Sequence, residues 1–255
     1  MVKQDPEYTK FAKDWASKDR PFTAQDIKFL DSLFKTNGVK SVLDVACGSG
    51  RLTFPLHELG YAIQGSDLSS QFIRLNLQKS KSLGHNLKFF NEDMRRLKSH
   101  GKFDAVICMW GSFTYLESID DMLSALKGMN KNLKKGGILI IDVAPGWHDL
   151  VISKRYKLKM HDRPVKNGRI CLTDCKLDPA DQFALQHDRY IVYKDGKAIR
   201  TEDFDRKRYF FTPTMFDLLL RNSGFGAMEL YADWDIRKKL PQTNLNRLIA
   251  VAKKF

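Results

Sequence analysis

The sequence predicts an α/β fold: a doubly wound parallel sheet that carries an inserted antiparallel β cap. Short apolar runs recur between helical patterns up to about residue 145, and this rhythm is typical of parallel strands joined by helices. Residues 169–211 instead alternate apolar and polar side chains, as antiparallel strands with one solvated face do. Because helical spacing returns afterwards, we expect the antiparallel strands to be an insertion in one domain.

The first half of the chain supplies the parallel sheet and its helices. Residues 24–35 place their apolar side chains on one face, which predicts an amphipathic helix ahead of the sheet. A helix is also expected before the last parallel strand, ending in a basic turn at Lys134-Lys135 and a glycine stop. The predicted strands are Ser41–Ala46, Tyr61–Ser66, Leu87–Asn91, Phe103–Met109 and Ile138–Val143.

The second half begins with the cap. Residues 190–200 place a turn at Asp195-Gly196 between two apolar runs, which predicts a β-hairpin. Thr212-Pro213 fits a helix N-cap followed by proline at the first helical position, and this helix should stop near Gly224. We expect the last apolar run, Leu248–Ala252, to return to the main sheet as an edge strand.

We interpret residues 1–255 as a single domain with four parts. The longest apolar stretch, Gly137–Ala144, is much shorter than a membrane-spanning helix, and the N-terminus is too polar for a signal peptide. We therefore expect a cytoplasmic protein with no membrane partner. The four parts are an N-terminal helical lid segment (1–38), a ligand-binding core (40–145), the inserted antiparallel β cap (150–211), and a C-terminal helix with return strands of the core (212–255).

Net charge and cysteine content limit the kinds of partner and metal site that we expect. The formal net charge of +13 suits an anionic acceptor or a nucleic acid. Because the lysines are scattered along the whole chain, a solvated basic surface is the preferred explanation. Cys47 and Cys108 are expected to be free or buried thiols, and no metal is expected. A metal half-site at Cys171 and Cys175 is the less favoured alternative to two more thiols on one face of a strand.

The most informative segment runs from Val42 to Leu52, where a strand leads into a glycine turn and then into a helix. Gly48 and Gly50 permit a sharp turn that approaches a ligand closely, where a Cβ atom would obstruct it. Asp67 follows 17 residues after Gly50, at the end of the second strand. A carboxylate there can accept from both hydroxyls of a nucleoside ribose, so the sequence predicts a nucleoside site.

Two departures from the dinucleotide-binding pattern indicate which nucleoside the turn binds. Thr53 stands where a third glycine would be required, and Asp44 precedes the turn inside the strand. A carboxylate beside the turn would repel a pyrophosphate, but it can orient loop amides or face a cation. The pattern therefore favours S-adenosyl-L-methionine (SAM), a cationic nucleoside, over NAD.

These residues resemble conserved motifs of class I SAM-dependent methyltransferases. Val42 to Gly50 is similar to the family's first motif, Asp67 to its ribose-binding acid, Glu92-Asp93-Met94 to its adenine-contacting turn, and Phe103–Met109 to its fourth strand. The resemblance covers about residues 40–145. It implies a Rossmann-like methyltransferase sheet that binds SAM in this core and releases S-adenosyl-L-homocysteine (SAH).

A second resemblance concerns the later part of the chain. Tyr209–Pro213, Gly224-Phe225 and Leu248–Lys253 follow the order found in small-molecule methyltransferases of the amino-sugar N,N-dimethyltransferase type, which carry an antiparallel cap. This resemblance implies a small-molecule N or O acceptor, with the cap forming the lid of its pocket. The positive charge allows that acceptor to be anionic.

The first resemblance also implies roles for single residues. The methionine part of SAM would lie over Gly48 and Gly50, Asp67 would hold the ribose, and Asp93 would accept from the adenine amino group. For Asp93 an ordinary strand-end carboxylate is the alternative role, and for Trp110 a core position. For Arg20 a solvent-exposed position is favoured over a contact with the SAM carboxylate. The other predicted cofactor contacts are Asp44, Ala46, Leu68, Met94, Met109 and Trp110, with Tyr8, Trp15 and Arg20 from the lid segment.

Methyl transfer is an in-line displacement, so a methyltransferase mainly aligns the reactants and excludes water. An amine acceptor needs only to arrive unprotonated, whereas a hydroxyl acceptor benefits from a positioned base. Tyr115 and His148 are the candidate catalytic groups, and a structural role is the alternative for each.

Two other functions stay open. An RNA methyltransferase would suit the charge, but the fourth strand is followed by Met109-Trp110-Gly111-Ser112 and not by an Asn/Asp-Pro-Pro-Tyr motif. A non-catalytic SAM-binding protein would also keep Asp44, Gly48, Gly50 and Asp67. The sequence is compatible with a monomer or a homodimer.

Overall fold

The computed structural model describes residues 23–143, 168–178, 182–232, 234–239 and 248–255. Within these residues an eight-stranded sheet forms the centre of the fold, and a separate three-stranded antiparallel sheet follows its fifth strand. The predicted doubly wound sheet with an antiparallel β cap is therefore confirmed.

The first half of the chain builds a parallel sheet with the strand order β5-β4-β1-β2-β3. Strand order reverses at β1, and loops diverge there at the carboxyl ends of the strands, which is where doubly wound folds bind ligands. The elements are α1 (Thr23–Thr36), β1 (Ser41–Val45), α2 (Thr53–Glu58), β2 (Ala62–Asp67), α3 (Ser70–Ser82), β3 (Lys88–Asn91), β4 (Phe103–Cys108), α4 (Ile119–Asn132) and β5 (Leu133–Val143).

Helices cover both faces of this sheet and make the core. On one face α1 contributes Leu30 and Phe34, and on the other α4 contributes Met122 and Leu126, all of them fully buried. Each helix keeps its apolar side chains on one stripe, as the sequence spacing predicts. The longest helices, α1 and α4, have 14 residues each, and among the described residues no helix is both long and apolar enough to cross a membrane.

The second half supplies the cap sheet and completes the main sheet. The cap sheet consists of β6 (Gly168–Asp178), β7 (Phe183–Lys194) and β8 (Lys197–Tyr209), all antiparallel, and the predicted hairpin joins β7 to β8. Thr212 caps α5 (Pro213–Arg221) by accepting from the Met215 amide, as predicted. The main sheet ends with β9 (Phe225–Ala232), β10 (Asp235–Lys239) and β11 (Leu248–Lys254).

Two expectations about element ends are wrong. Strand β11 is not an edge strand, because it lies between β5 and β9 and pairs antiparallel with both. Its five buried residues, Leu248–Ala252, fit this interior position. Lys134-Lys135 belong to the start of β5 and not to the last turn of α4, since the helix already ends at Asn132.

The two faces of the cap sheet differ sharply in burial. Ala184, Gln186, Asp188 and Tyr190 of β7 share one face and are buried. Leu185 and Arg189 on the other face are exposed. The pattern follows the period of two of a strand, and it gives the cap sheet an inner face that carries polar and charged side chains.

Candidate functional site

The glycine turn lies between β1 and α2, at the carboxyl edge of the sheet. Ala46, Gly48 and Gly50 all have positive φ angles of 59°, 53° and 71°. A Cβ atom at Gly50 would lie 2.7 Å from Cε2 of Phe54, whereas one at Gly48 would meet nothing within 4 Å. Gly50 is therefore required by packing, and Gly48 leaves open space above the turn in which a ligand can lie.

Asp67, the last residue of β2, binds the glycine turn directly. Its Oδ2 accepts from the Gly48 amide at 2.8 Å, and its Oδ1 accepts from the Ser69 amide at 2.8 Å. Desolvation raises the pKa of this carboxyl, even though the hydrogen bonds from the two backbone amides lower it. A carboxylate offers about four acceptor positions, so two remain for other donors. This capacity fits the predicted ribose role.

Asp44 is buried beneath the turn. Its side chain is 2% exposed, and its Oδ2 accepts from the Thr53 hydroxyl at 2.7 Å. Desolvation, opposed in part by this hydrogen bond, raises the pKa of Asp44 to about 7. Thr53, which occupies the position of the missing third glycine, thus ties the start of α2 to β1 through Asp44.

Asp93 and its neighbours follow β3. Burial of Asp93 favours the neutral acid, but hydrogen bonds from the Arg95 backbone and guanidinium hold its pKa below the usual value. Arg95 also bonds Asp121 of α4 at 3.3 Å. Asp93 therefore has an ion-pair partner already, and an adenine amino group would share the carboxylate with it. Leu68 and Met94 are half-buried at the same edge.

The loop after β4 is held by two carboxylates. Trp110 and Gly111 have φ angles of 62° and 75°, so the chain turns sharply there. Asp142 of β5 accepts from the Gly111 amide at 2.7 Å. Asp26 of α1 accepts from Trp110 Nε1 at 2.9 Å. The guanidinium carbon of Arg51 lies 3.4 Å from the centre of a Trp110 ring, so Asp26 and Arg51 together hold the indole.

Asp26 is fully buried, and desolvation raises its pKa to about 6, against the influence of Arg51 and Trp110. Its helix is anchored by Phe29, which packs edge-on against Tyr231 and Trp234. The sequence analysis did not identify Asp26, because an acidic residue in the first turn of a helix is common and its partner is 84 residues away.

Tyr115 lies where the cap meets the main sheet. It ends a short 3-10 helix, Ser112–Tyr115, that follows the Trp110 loop. The guanidinium carbons of Arg206 and Arg208 both lie 5.7 Å from the centre of its ring. Next to it, the Tyr209 hydroxyl of β8 donates to the Glu117 carbonyl at 3.1 Å. The inner face of the cap sheet therefore borders the carboxyl edge of the main sheet at Tyr115.

The structure brings most of the predicted site residues to one edge. The loops after β1, β2, β3 and β4, which we call the cofactor edge, carry Gly48, Gly50, Asp67, Asp93 and Trp110, while Met109 is buried just before Trp110. In the described ranges no group of His, Cys, Asp or Glu side chains has the arrangement of a metal site. The predicted residues Tyr8, Trp15, Arg20 and His148 lie outside the described residues, so their roles stay predictions.

Two further residues of the edge were missed by the sequence analysis. Asn76 of α3 donates to the Gly48 carbonyl at 2.8 Å, and Asn91 donates to the carbonyls of Asp67 and Leu68. Both amides fix loop backbone. No spacing rule identifies them, because an asparagine on a helix or at a strand end is unremarkable in sequence.

The sequence is similar to that of known methyltransferases. Residues 42–137 match the family model described as a methyltransferase domain. The putative methyltransferase YqeM of Bacillus subtilis strain 168 is 26% identical over 214 residues, which cover 84% of this chain and 83% of the relative. The glycine/sarcosine N-methyltransferase of Parasynechococcus marenigrum strain WH8102 is 37% identical over 116 residues, or 45% of this chain and 41% of the relative.

Solved structures share the fold over nearly the whole chain. An S-adenosylmethionine-dependent methyltransferase from Clostridium acetobutylicum ATCC 824 superposes with a TM-score of 0.80 at 20% identity, covering 97% of this chain and 98% of the other. The sugar N-methyltransferase KedS8 from Streptoalloteichus sp ATCC 53650 gives 0.72 at 19% identity, covering 98% and 94%. At such identities the likeness establishes the fold alone. The domain match covers residues 42–137, and the solved structures show the Rossmann-like fold.

Proposed function

We propose that this protein transfers the methyl group of SAM to a nitrogen or oxygen atom of a small molecule by in-line displacement. One observation carries the proposal. The edge of the sheet that holds the glycine turn and Asp67 also holds Tyr115, and Tyr115 is bordered by the buried inner face of the cap sheet. In this proposal the acceptor lies between Tyr115 and the cap, next to the nucleoside site.

The residues at the cofactor edge fit SAM. Gly48 leaves open space over the turn, and Asp67 keeps acceptor capacity for ribose hydroxyls. Asp44 is buried and accepts from Thr53, so it does not place a second carboxylate in the space above the turn. When bound, SAM supplies a methyl group already activated by its sulfonium charge.

The chain's own residues then have to orient the acceptor and exclude water. Trp110 is fixed by Asp26 and Arg51 and forms a rigid wall beside the glycine turn. The Tyr115 hydroxyl is the candidate to orient the acceptor by accepting a hydrogen bond from the N–H of an amine or the O–H of an alcohol. His148, predicted as an alternative base, keeps that role as a hypothesis.

The class of acceptor rests on two kinds of support. Relatives include a glycine/sarcosine N-methyltransferase, and a sugar N-methyltransferase shares the fold. Both are named for nitrogen acceptors of low molecular weight, so we favour an amine. An acceptor of the amino-sugar type remains one member of this class, and a monomer or homodimer in the cytoplasm stays a prediction.

The described cap does not favour RNA as the acceptor. On its outer face, basic side chains lie opposite carboxylates: His187 lies 2.7 Å from Asp205, and Arg189 lies 2.7 Å from Asp203. Such a ladder of opposite charges is not the continuous basic strip that follows a phosphate backbone. If RNA were nevertheless bound, its affinity should fall steeply with added salt, whereas that of a small uncharged acceptor should not.

Calorimetric titration with SAM, SAH and NAD tests the cofactor assignment. Wild-type protein should bind both sulfur nucleosides and not NAD. Asp67→Ala should weaken SAM binding by about 1–3 kcal/mol, because the ribose hydroxyls lose a charged acceptor and the turn loses an amide partner. Asp203→Ala, on the outer face of the cap, is the control and should leave SAM affinity unchanged. Unchanged affinity in Asp67→Ala would overturn the placement of the cofactor.

Turnover is measured with methyl-labelled SAM and a panel of small amines and alcohols. Transfer of the label to a panel member, with equimolar SAH formed, would support the enzyme. Tight SAM binding with no transfer to any small molecule or RNA would instead favour a non-catalytic SAM-binding protein.

A further inference from the structure

The inner face of the cap sheet carries a set of charged side chains that the proposed chemistry does not use. In register across β7 and β8, Gln186 pairs with Arg206 and Ala184 pairs with Arg208, so both arginines project to the buried face. Arg206 and Asp188 are 9% and 2% exposed, and they form an ion pair of 3.3 Å. The register of β7 and β8 therefore makes the cap face that borders Tyr115 polar.

Charge on this face does not balance at Arg208. Asp188 neutralises Arg206, and Glu202 pairs with Arg200 at 2.7 Å. Arg208 donates from Nη1 to the Gln186 side-chain oxygen at 3.0 Å, which is a neutral acceptor. Its Nε is buried without a hydrogen-bond partner, and no carboxylate among the described residues is within ion-pair distance of its guanidinium.

A hydrogen bond to Asp188 orients the Gln186 amide so that its oxygen accepts from Arg208. Its Nε2 donates to Asp188 at 2.7 Å, which leaves the amide oxygen facing the guanidinium. The chain Asp188, Gln186, Arg208 therefore fixes the arginine without neutralising it. The buried Nε is a donor without an acceptor, which costs free energy unless an acceptor completes it. The guanidinium carbon lies 5.7 Å from the centre of the Tyr115 ring, where the cap meets the main sheet.

We infer that Arg208 is the anchor for an oxyanion of the methyl acceptor, a carboxylate or a phosphate, with the reacting atom held on the Tyr115 side. This inference rests on the proposed function and adds the chemistry that selects the substrate. The planar guanidinium matches either oxyanion through two parallel hydrogen bonds. Arg206 adds a second positive charge near the same ring, while its pairing with Asp188 limits the site to one strongly bound anionic group.

The test is calorimetry on the full chain loaded with SAH at low ionic strength. The probes are sarcosine for a carboxylate and glucose 1-phosphate for a phosphate, each compared with its uncharged counterpart, sarcosinamide or glucose. Wild-type protein should bind one charged probe at least about tenfold more tightly than its counterpart, which is the effect of one charge-assisted hydrogen bond. The probe that binds identifies the source of the oxyanion.

Three variants make the result specific. Arg208→Gln should lose the preference for the charged probe, and Arg208→Lys should retain part of it, because lysine keeps the charge but not the fork. Arg189→Gln removes an arginine from the outer face and should behave as wild type. SAH affinity should be the same in all variants, which shows that each is folded and that the cofactor site is intact.

Equal binding of charged and uncharged probes by the wild type, or an unchanged preference in Arg208→Gln, would overturn the inference. Either result with normal SAM binding would leave the proposed methyltransferase function standing. If the wild-type protein does not bind SAM at all, the proposed methyltransferase function itself is overturned.

Discussion

The cofactor edge and the cap sheet both hold buried acidic residues, but they hold them in different ways. At the cofactor edge, Asp67 and Asp142 accept from the backbone amides of Gly48 and Gly111. In the cap sheet, Asp188 accepts a hydrogen bond from the Gln186 side chain and forms an ion pair with Arg206. A carboxylate bonded to backbone is positioned by the path of the chain. A carboxylate bonded to side chains is positioned by strand register.

The difference means that the cofactor edge tolerates less change in its backbone path than the cap sheet tolerates in its side chains. Loop backbone at the carboxyl ends of β1 and β4 must follow one path to meet the carboxylates, so the edge has little freedom to change. Side chains in the cap can be exchanged at fixed register without moving the strands, and one face can therefore be adapted to a new acceptor. We propose that cofactor choice resides in the first region and acceptor choice in the second.

The largest expected effect distinguishes the two faces of the cap. Asp188→Asn should lower the free energy of unfolding by about 3 kcal/mol, because it leaves the buried Arg206 charge without its carboxylate. Asp203→Asn on the outer face should leave the midpoint of urea denaturation unchanged, since exposed ion pairs contribute little. Urea denaturation of both variants at one pH makes the measurement. Equal losses would show that the inner face is no more constrained than the outer.

An effect of comparable size is expected at the glycine turn. Gly50→Ala should lower the free energy of unfolding by about 2–4 kcal/mol, because it adds a Cβ at 2.7 Å from Phe54 to the strain of a positive φ angle. Gly38→Ala is the control for the strain alone, since its φ is +64° and its Cβ would meet nothing within 4 Å. Equal losses in the two variants would contradict the packing argument.

Gly48→Ala sharpens the same comparison. Its φ of +53° and open surroundings predict a loss of stability close to that of Gly38→Ala. Its added methyl group would nevertheless point into the space assigned to the cofactor. SAM binding by calorimetry should therefore fall in Gly48→Ala and stay normal in Gly38→Ala.

The smallest effect concerns pH. The pKa of Asp44 is about 7 in the folded protein, against an ordinary value of 3.8. The folded state then takes up a proton as the pH falls below 7, while the unfolded state does so only near 4. Stability of the cofactor-free protein should therefore rise by about 2 kcal/mol between pH 8 and pH 5.5 through this group. Asp26, with a pKa of about 6, adds a smaller contribution of the same sign.

Urea denaturation at the two pH values checks this expectation. Asp44→Asn should remove most of the rise, because an amide has no proton to gain. Asp104→Asn is the matched control: hydrogen bonds from Lys134, Ser41 and Lys40 hold the pKa of Asp104 at about 2 against desolvation, so its loss should lower stability equally at both pH values. A rise that survives in Asp44→Asn would assign the proton uptake to another group.

Much of the fold could be predicted because its signals are local. The five parallel strands, the helix of residues 24–35 and the hairpin at Asp195-Gly196 all follow from periodicity and turn chemistry within short segments. The place of β11 could not be predicted, because an apolar strand at the end of the chain fits an interior position as well as a half-covered edge. Its pairing with β5 and β9 depends on segments far away in sequence.

The same reasoning applies to the candidate site. Gly50 and Asp67 could be identified because their partners are set by a strand–turn–helix path of fixed length. Asp26, Asp142 and Arg208 could not, since each acts on a group brought near by the tertiary fold. Asp44 was placed beside the turn correctly, but its bond to Thr53 required the side-chain geometry of the folded loop.

The position of β11 also sets the order in which the protein can form. Among the strands that the structure describes, β9 joins the main sheet through β11 alone, and β10 joins it through β9. During synthesis, β9 and β10 therefore have no strand of the main sheet to pair with until Leu248–Lys254 has emerged and paired with β5. The side of the sheet beyond β5 must then assemble after translation of that segment, as a slow, non-local step during which the exposed flank of β5 is vulnerable to aggregation.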